Sequence, residues 1–148
     1  MRCFCLVLAL MVTGCSSSPD DAPELVEYTG VVTLDGQPLG DAVVMFHPTQ
    51  PGLNGAAGQT NADGEFSLVT GNRSGVTPGN YKVTVSRIVT KDGSPVSTDE
   101  GMDIEQLRMS GDASESIPDK YSALEQTQLT ADITDSPETP PSFELTSS

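Results

Sequence analysis

The chain has 148 residues, 7 Lys+Arg against 21 Asp+Glu for a formal charge of −14, one His, three Cys and no Trp. One domain is the natural count at this length. So acidic a surface repels nucleic acid and anionic headgroups, whose binding needs clustered Lys and Arg, and one His builds neither a two-His metal site nor a His-rich acid–base centre.

The N-terminus reads MRCFCLVLALMVTGC. Arg2 supplies a positive start, and Phe4 to Val12 is an apolar run well short of the roughly 20 residues that span a bilayer. This predicts a secretory signal rather than a transmembrane helix. The run closes on Val12-Thr13-Gly14-Cys15, which resembles the lipobox of bacterial lipoproteins: aliphatic, small, small, Cys. The resemblance implies cleavage before Cys15, a thioether-linked diacylglycerol on its sulfur and acylation of the freed amine. Several acyl chains give stable anchoring where one does not. Ser16, where an Asp favours inner-membrane retention, points to the outer membrane. Residues 1–14 are then the signal peptide, and 15–24 the lipidated Cys and a polar tether with Pro19 and Pro23. Removal of residues 1–14 takes away Cys3, Cys5 and Arg2, leaving 134 residues with neither a free thiol nor a disulfide.

Leu, Ile, Val and Phe make up 27 of those 134 residues, about 20%, which borders on the composition of disordered chains. They are concentrated in short segments, however, and the concentration argues for a folded core. Val26, Tyr28, Gly30, Val32 and Leu34 alternate along a first strand, the period a half-buried strand requires. Asp35-Gly36-Gln37-Pro38 reads as a turn. Ala42, Val44 and Phe46 alternate along a second strand that stops near Pro48, because proline lacks the N–H to continue a ladder. After a loop at 49–55, a short strand over 56–60 and an alternating set at Phe66, Leu68 and Thr70 flank the tight turn Asn61-Ala62-Asp63-Gly64, the strongest hairpin signal in the chain. A polar loop at 71–80 leads into Tyr81–Ser86. Residues 91–116 are a long polar insertion, in which 103–109 has the spacing for one or two helical turns. A weak apolar set at 117–121 follows. Leu129, Ala131 and Ile133 alternate, and so do Phe143 and Leu145.

Seven short strands with turn-rich joints predict an all-β fold, a β-sandwich over residues 25–148. Its expected core is Val32, Leu34, Val44, Phe46, Phe66, Leu68, Tyr81, Val83, Val85, Leu129, Ile133, Phe143 and Leu145. Tyr81 opens its strand, where its ring packs inward while its hydroxyl returns to loop backbone.

The segments at 31–39, 42–46, 60–66 and 78–85 (VVTLDGQPL, AVVMF, TNADGEF, PGNYKVTV) together resemble the carboxypeptidase regulatory-like domain. That resemblance covers residues 26–90 and implies a seven-stranded transthyretin-like, Ig-like sandwich. Residues 117–121 and 129–145 resemble the C-terminal end of small bacterial lipoproteins bearing this domain, and the insertion at 91–116 has no counterpart. Fold does not fix function. Transthyretin-like hydrolases of the purine pathway use several His residues and a characteristic tail, which this chain lacks.

No residue pattern supplies a catalytic constellation, a metal site or a cofactor. His47, opposite in phase to Val44 and Phe46, reads as a surface or edge-strand residue without an identified Ser or Asp partner. Asn61-x-Asp63-Gly64 resembles a fragment of a calcium loop, but an EF-hand needs a Glu at position twelve and Asn72 stands there. Asp92, Asp99, Glu100, Asp103 and Glu105 read as a solvated acidic run, with calcium binding the alternative. Only Tyr28 and Tyr121 are candidates for sugar stacking. The expectation is a non-enzymatic, membrane-anchored envelope lipoprotein: lipid on Cys15 fixes its location, and its sandwich serves as a binding or structural module for an envelope protein partner. The alternative is an accessory module for glycan or calcium.

Overall fold

The structure is a computed structural model, and it describes residues 23–96, 103–135 and 141–148. These form a mostly β protein of two packed sheets. In chain order the strands are β1 (Thr29–Leu34), β2 (Gln37–Pro38), β3 (Val43–Pro48), β4 (Ala56–Gln59), β5 (Glu65–Ser67), β6 (Val69–Thr70), β7 (Arg73–Ser74), β8 (Gly79–Ser86), β9 (Ile88–Thr90), β10 (Ala113–Glu115), β11 (Thr130–Ile133) and β12 (Ser142–Leu145). Two short helices, α1 (Ile104–Ser110) and α2 (Asp119–Ser122), flank β10.

The larger sheet runs β11-β8-β3-β4-β6-β7 and is antiparallel throughout. The smaller is centred on β1, which pairs antiparallel with β2 and β5 and parallel with β12. β9 and β10 make a separate two-stranded ladder. The inner faces of the two main sheets meet in an aromatic cluster. Phe46 of the larger sheet lies 6.2 Å from Phe143 and 6.3 Å from Phe66 of the smaller, and Tyr28 and Tyr81 complete its surroundings at 5.5 and 5.9 Å. Edge-on and tilted geometries of this kind suit the ring quadrupoles.

The expected core is buried as predicted except Leu34 and Leu129, which are half-buried at its margin. Tyr28, Leu39, Val76 and Ile117 join it. Asp35 and Gly36 both take positive φ (50° and 80°), the conformation of a two-residue hairpin whose twist matches its strands.

The turn at 61–64 forms as its residues dictate. The Asn61 side-chain oxygen accepts from the backbone N–H groups of Asp63 (2.9 Å) and Glu65 (3.0 Å). Gly64 sits at φ 76°, and a Cβ there would lie 2.4 Å from the Val32 carbonyl oxygen. The strands it joins nevertheless lie in different sheets, and the expected single strand over 66–70 is broken. β5 pairs with β1, the chain turns at Leu68, whose N–H donates to the Tyr28 carbonyl, and β6 then joins β4. Gly58 permits this crossing, since a Cβ on it would lie 2.5 Å from the Ser67 carbonyl oxygen. Period-two alternation is blind to such a change of sheet, because Phe66 and Leu68 face the same core from either side of it.

Candidate functional site

The sandwich has two distinct ends. The described chain enters at Pro23, whose carbonyl accepts from the Arg73 guanidinium at 3.2 Å, and Val26 bridges to Val76. Pro23, Leu25, Asn54, Gly55, Thr70, Gly71 and Arg73 line a shallow groove there. β8 begins three residues after Val76 and runs away from this end for eight residues, roughly 27 Å of strand. Past Ser86 it gives rise to β9, so the β9–β10 ladder, the described base of the 91–116 insertion, stands toward the opposite end. Cys15, the expected lipid site, lies outside the described residues, as do Asp99 and Glu100.

The insertion is organised by polar contacts. Its base is gathered by Glu115, whose carboxylate accepts from Arg87 N–H (2.8 Å), Ile117 N–H (3.0 Å) and the Ser86 hydroxyl (2.5 Å). The expected helical turns are α1. Asp103 caps it by accepting from Gln106 N–H at 3.1 Å, and Gly111, at φ 77°, ends it. Lys91 and Asp112 pair at 2.8 Å across the excursion. Asp92 accepts from the Thr90 and Ser94 hydroxyls, which hold its carboxyl below the usual range. Asp92 and Asp103 thus have local partners, and among the described residues no group of three or more His, Cys, Asp or Glu is placed to hold a metal ion.

His47 is half-buried on β3, an interior strand between β8 and β4 rather than an edge. Its Nε2 lies 3.0 Å from the Thr84 hydroxyl, and burial lowers its pKa. Among the described residues its hydrogen-bond partner is Thr84, and no Ser or Asp is bonded to the ring. Tyr28 is 6% exposed, and burial pushes its pKa up to about 12, so its ring is withdrawn from any sugar. Tyr121 lies half-buried, 3.2 Å from the Thr146 hydroxyl, with the Lys120 ammonium 5.0 Å from its ring centroid. Tyr81 places its hydroxyl 2.8 Å from the Thr77 carbonyl oxygen, the expected return to loop backbone.

An open groove of about 530 Å³ lies along Thr29–Val31 and Glu65–Ser67, with Gln59 and Asn61 on its wall. A second apolar feature went unread in the sequence: Val43, Met45 and Val69 are 37%, 44% and 40% exposed on the outward face of the larger sheet. Its signal is the run Val43-Val44-Met45-Phe46, apolar at every position where a strand with one solvated face alternates. Among the described residues no helix is long and apolar enough to cross a membrane. Comparisons with family descriptions, with curated proteins and with solved structures found no match.

Proposed function

We propose that this chain is a lipid-anchored protein of the bacterial cell envelope, on the outer membrane, whose β-sandwich acts without catalysis as a binding or structural module for an envelope protein. The observation that carries the reading is the N-terminal order: Arg2, the apolar run to Val12, then Thr13-Gly14-Cys15, followed by the polar segment 16–24 with Pro19 and Pro23. The two-ended body supports it, because the first described residues, at Pro23, lie at one end and the β9–β10 ladder at the other. In the same reading the sandwich is seven-stranded and transthyretin-like, related to carboxypeptidase regulatory-like domains. β1, β3, β4, the broken β5–β6, β8, β11 and β12 are its seven strands, and β2 and β7 are hairpin extensions.

Expression of the full chain in a bacterium tests the anchor. Mass spectrometry is expected to find an N-terminal Cys15 carrying diacylglycerol and an amide-linked acyl chain, with the protein in the membrane fraction. Cys15→Ala is expected to leave an uncleaved, unlipidated precursor. An unmodified Cys15 thiol in wild-type material would overturn the reading. Capture from envelope extracts by the mature chain tests the module. One protein recovered repeatedly and lost on deletion of 91–116 supports it, and recovery of none weighs against it.

A further inference from the structure

The outward face of the larger sheet carries an apolar strip. Met45 stands directly opposite Ala57 on β4, Ala57 directly opposite Val69 on β6, and Val43 extends the row along β3. The groove beside the strip, lined by Met45, His47, Ala57 and Val69, shares Gly55 and Gly71 with the groove that holds Pro23. The strip therefore begins where the N-terminal segment joins the body. The face is also poor in charge for a chain of formal charge −14: among the described residues its outward positions carry Asp132 and Lys82, and the half-buried Glu115 carboxylate reaches it by accepting from Ser86, opposite Val43. Three of the five large apolar side chains exposed among the described residues stand in this one row, a concentration that suits a contact surface.

We propose that this strip rests on the bilayer to which the chain is anchored, so that the sandwich lies on the outward face of its larger sheet. The inference rests on the anchoring reading. Residues 15–22 extend at most roughly 29 Å, which keeps the strip within reach of the surface, and tethering converts a weak contact into an intramolecular one. The acidic body as a whole repels anionic headgroups, so the surface this face suits is one of neutral lipid, against which it presents few charges. A second copy is the poorer occupant, because two bodies of this charge repel each other. In this pose the outward face of the smaller sheet points away from the lipid.

The test uses residues 15–148, whose single thiol, Cys15, is coupled to a maleimide lipid in phosphatidylcholine vesicles. Attachment is then assured whether or not the cell lipidates the chain, and failure of the natural anchor remains a separate result. The chain contains no Trp, so Met45→Trp, Val69→Trp and Thr33→Trp, the last outward on β1, each give one fluorescent probe. Brominated lipid is expected to quench the indole of the Met45→Trp and Val69→Trp chains about twofold or more above that of the Thr33→Trp chain, as burial to ~5–10 Å in the headgroup–acyl boundary requires. Adding Met45→Asp to the Val69→Trp chain is expected to abolish the difference. Equal quenching in all three variants, each folded, overturns the proposal, as does an unlipidated domain that dimerises in solution and is made monomeric by Met45→Asp.

Discussion

Nine large side chains of the sandwich, Phe46, Tyr81 and Leu145 among them, are less than 2% exposed, whereas in the insertion at 91–116 the buried apolar residues described are Val96 and Ala113. The two regions leave the same strand, β8, yet cohere by different means. The sandwich is held by apolar burial, which is non-directional and roughly additive in area. The insertion is held by a carboxylate, a helix cap and an exposed ion pair, which are directional and compete with water. The difference teaches where each kind of mutation is felt: throughout the molecule in one region, locally in the other.

The largest expected effect breaks the sandwich. Phe46→Ala removes the ring that packs near four other aromatic rings across both sheets. It is expected to cost about 3–5 kcal/mol, read as a lower urea midpoint with an unchanged slope. A loss below about 1 kcal/mol, small beside the usual cost of such a truncation, would mean that the aromatic cluster is not the centre of the fold.

Next, Glu115→Ala strips the carboxylate from Arg87 N–H, Ile117 N–H and the Ser86 hydroxyl. Hydrogen bonds to a charged group contribute about 1.5–3 kcal/mol each, though not additively. The expected signature is local: amide hydrogen exchange quickens at 87 and 113–117, while amides of β3 and β8 keep their protection. Uniform acceleration across the sandwich would show that the insertion and the body open as one unit.

A smaller effect sharpens the contrast within the sandwich. Tyr81→Phe keeps the ring in the core and deletes the hydroxyl bound to Thr77. About 0.5–1.5 kcal/mol is expected to go, measured by urea unfolding. Wild-type stability in the variant would reduce the hydroxyl to a bystander. The ring without its hydroxyl thus separates burial from hydrogen bonding at one residue.

These three residues also show how far the sequence reaches. Phe46 and Tyr81 were legible because a half-buried strand repeats every two residues and each side chain fell in phase with its neighbours. Tyr81's hydroxyl was legible because a tyrosine at the head of a strand has loop backbone within reach. Glu115 was not legible: its partners are Ser86, Arg87 and Ile117, and the first two become neighbours only when β9 and β10 close the ladder. The break at Leu68 was hidden for a related reason, since nothing in an alternating pattern records which strand lies alongside. Of the candidate site, the helical turns at 103–109 followed from local spacing. The exposed Val43–Met45–Val69 strip did not, because a row across β3, β4 and β6 exists only once their register is set.

His47 tests the sandwich through pH. Its folded pKa lies below the unfolded value of about 6.5, so the folded state favours the neutral ring. The stability this provides is fully present above the unfolded pKa and is lost as pH falls through the folded one. His47→Gln keeps a polar group near Thr84 and removes the titration. The expected outcome is a shallower loss of stability than in wild type as pH falls below about 6.5, read from urea midpoints. Identical slopes in the two proteins would assign the acid sensitivity to carboxylates alone.

The smallest effect belongs to the insertion. Lys91 and Asp112 are 72% and 54% exposed, and their bond, though short, joins two solvated side chains. Water competes for both charges, and holding two long side chains in one geometry costs rotamer freedom, so exposed pairs contribute about 0–1 kcal/mol. Lys91→Ala is therefore expected to leave the urea midpoint of the whole chain within error. Its effect is confined to faster exchange at the residue 91 N–H, which donates to the Asp112 carbonyl. That increment is expected to shrink as added salt shortens the Debye length from about 10 Å to about 3 Å. The Glu115 increment is expected to persist through the same range, because its carboxylate is half-buried and its donors are backbone N–H groups and a hydroxyl rather than a solvated cation. If salt erased both increments alike, the carboxylate at the insertion's base would be as open to solvent as the ion pair farther out, and the distinction between a fastened base and a solvated arm would fail.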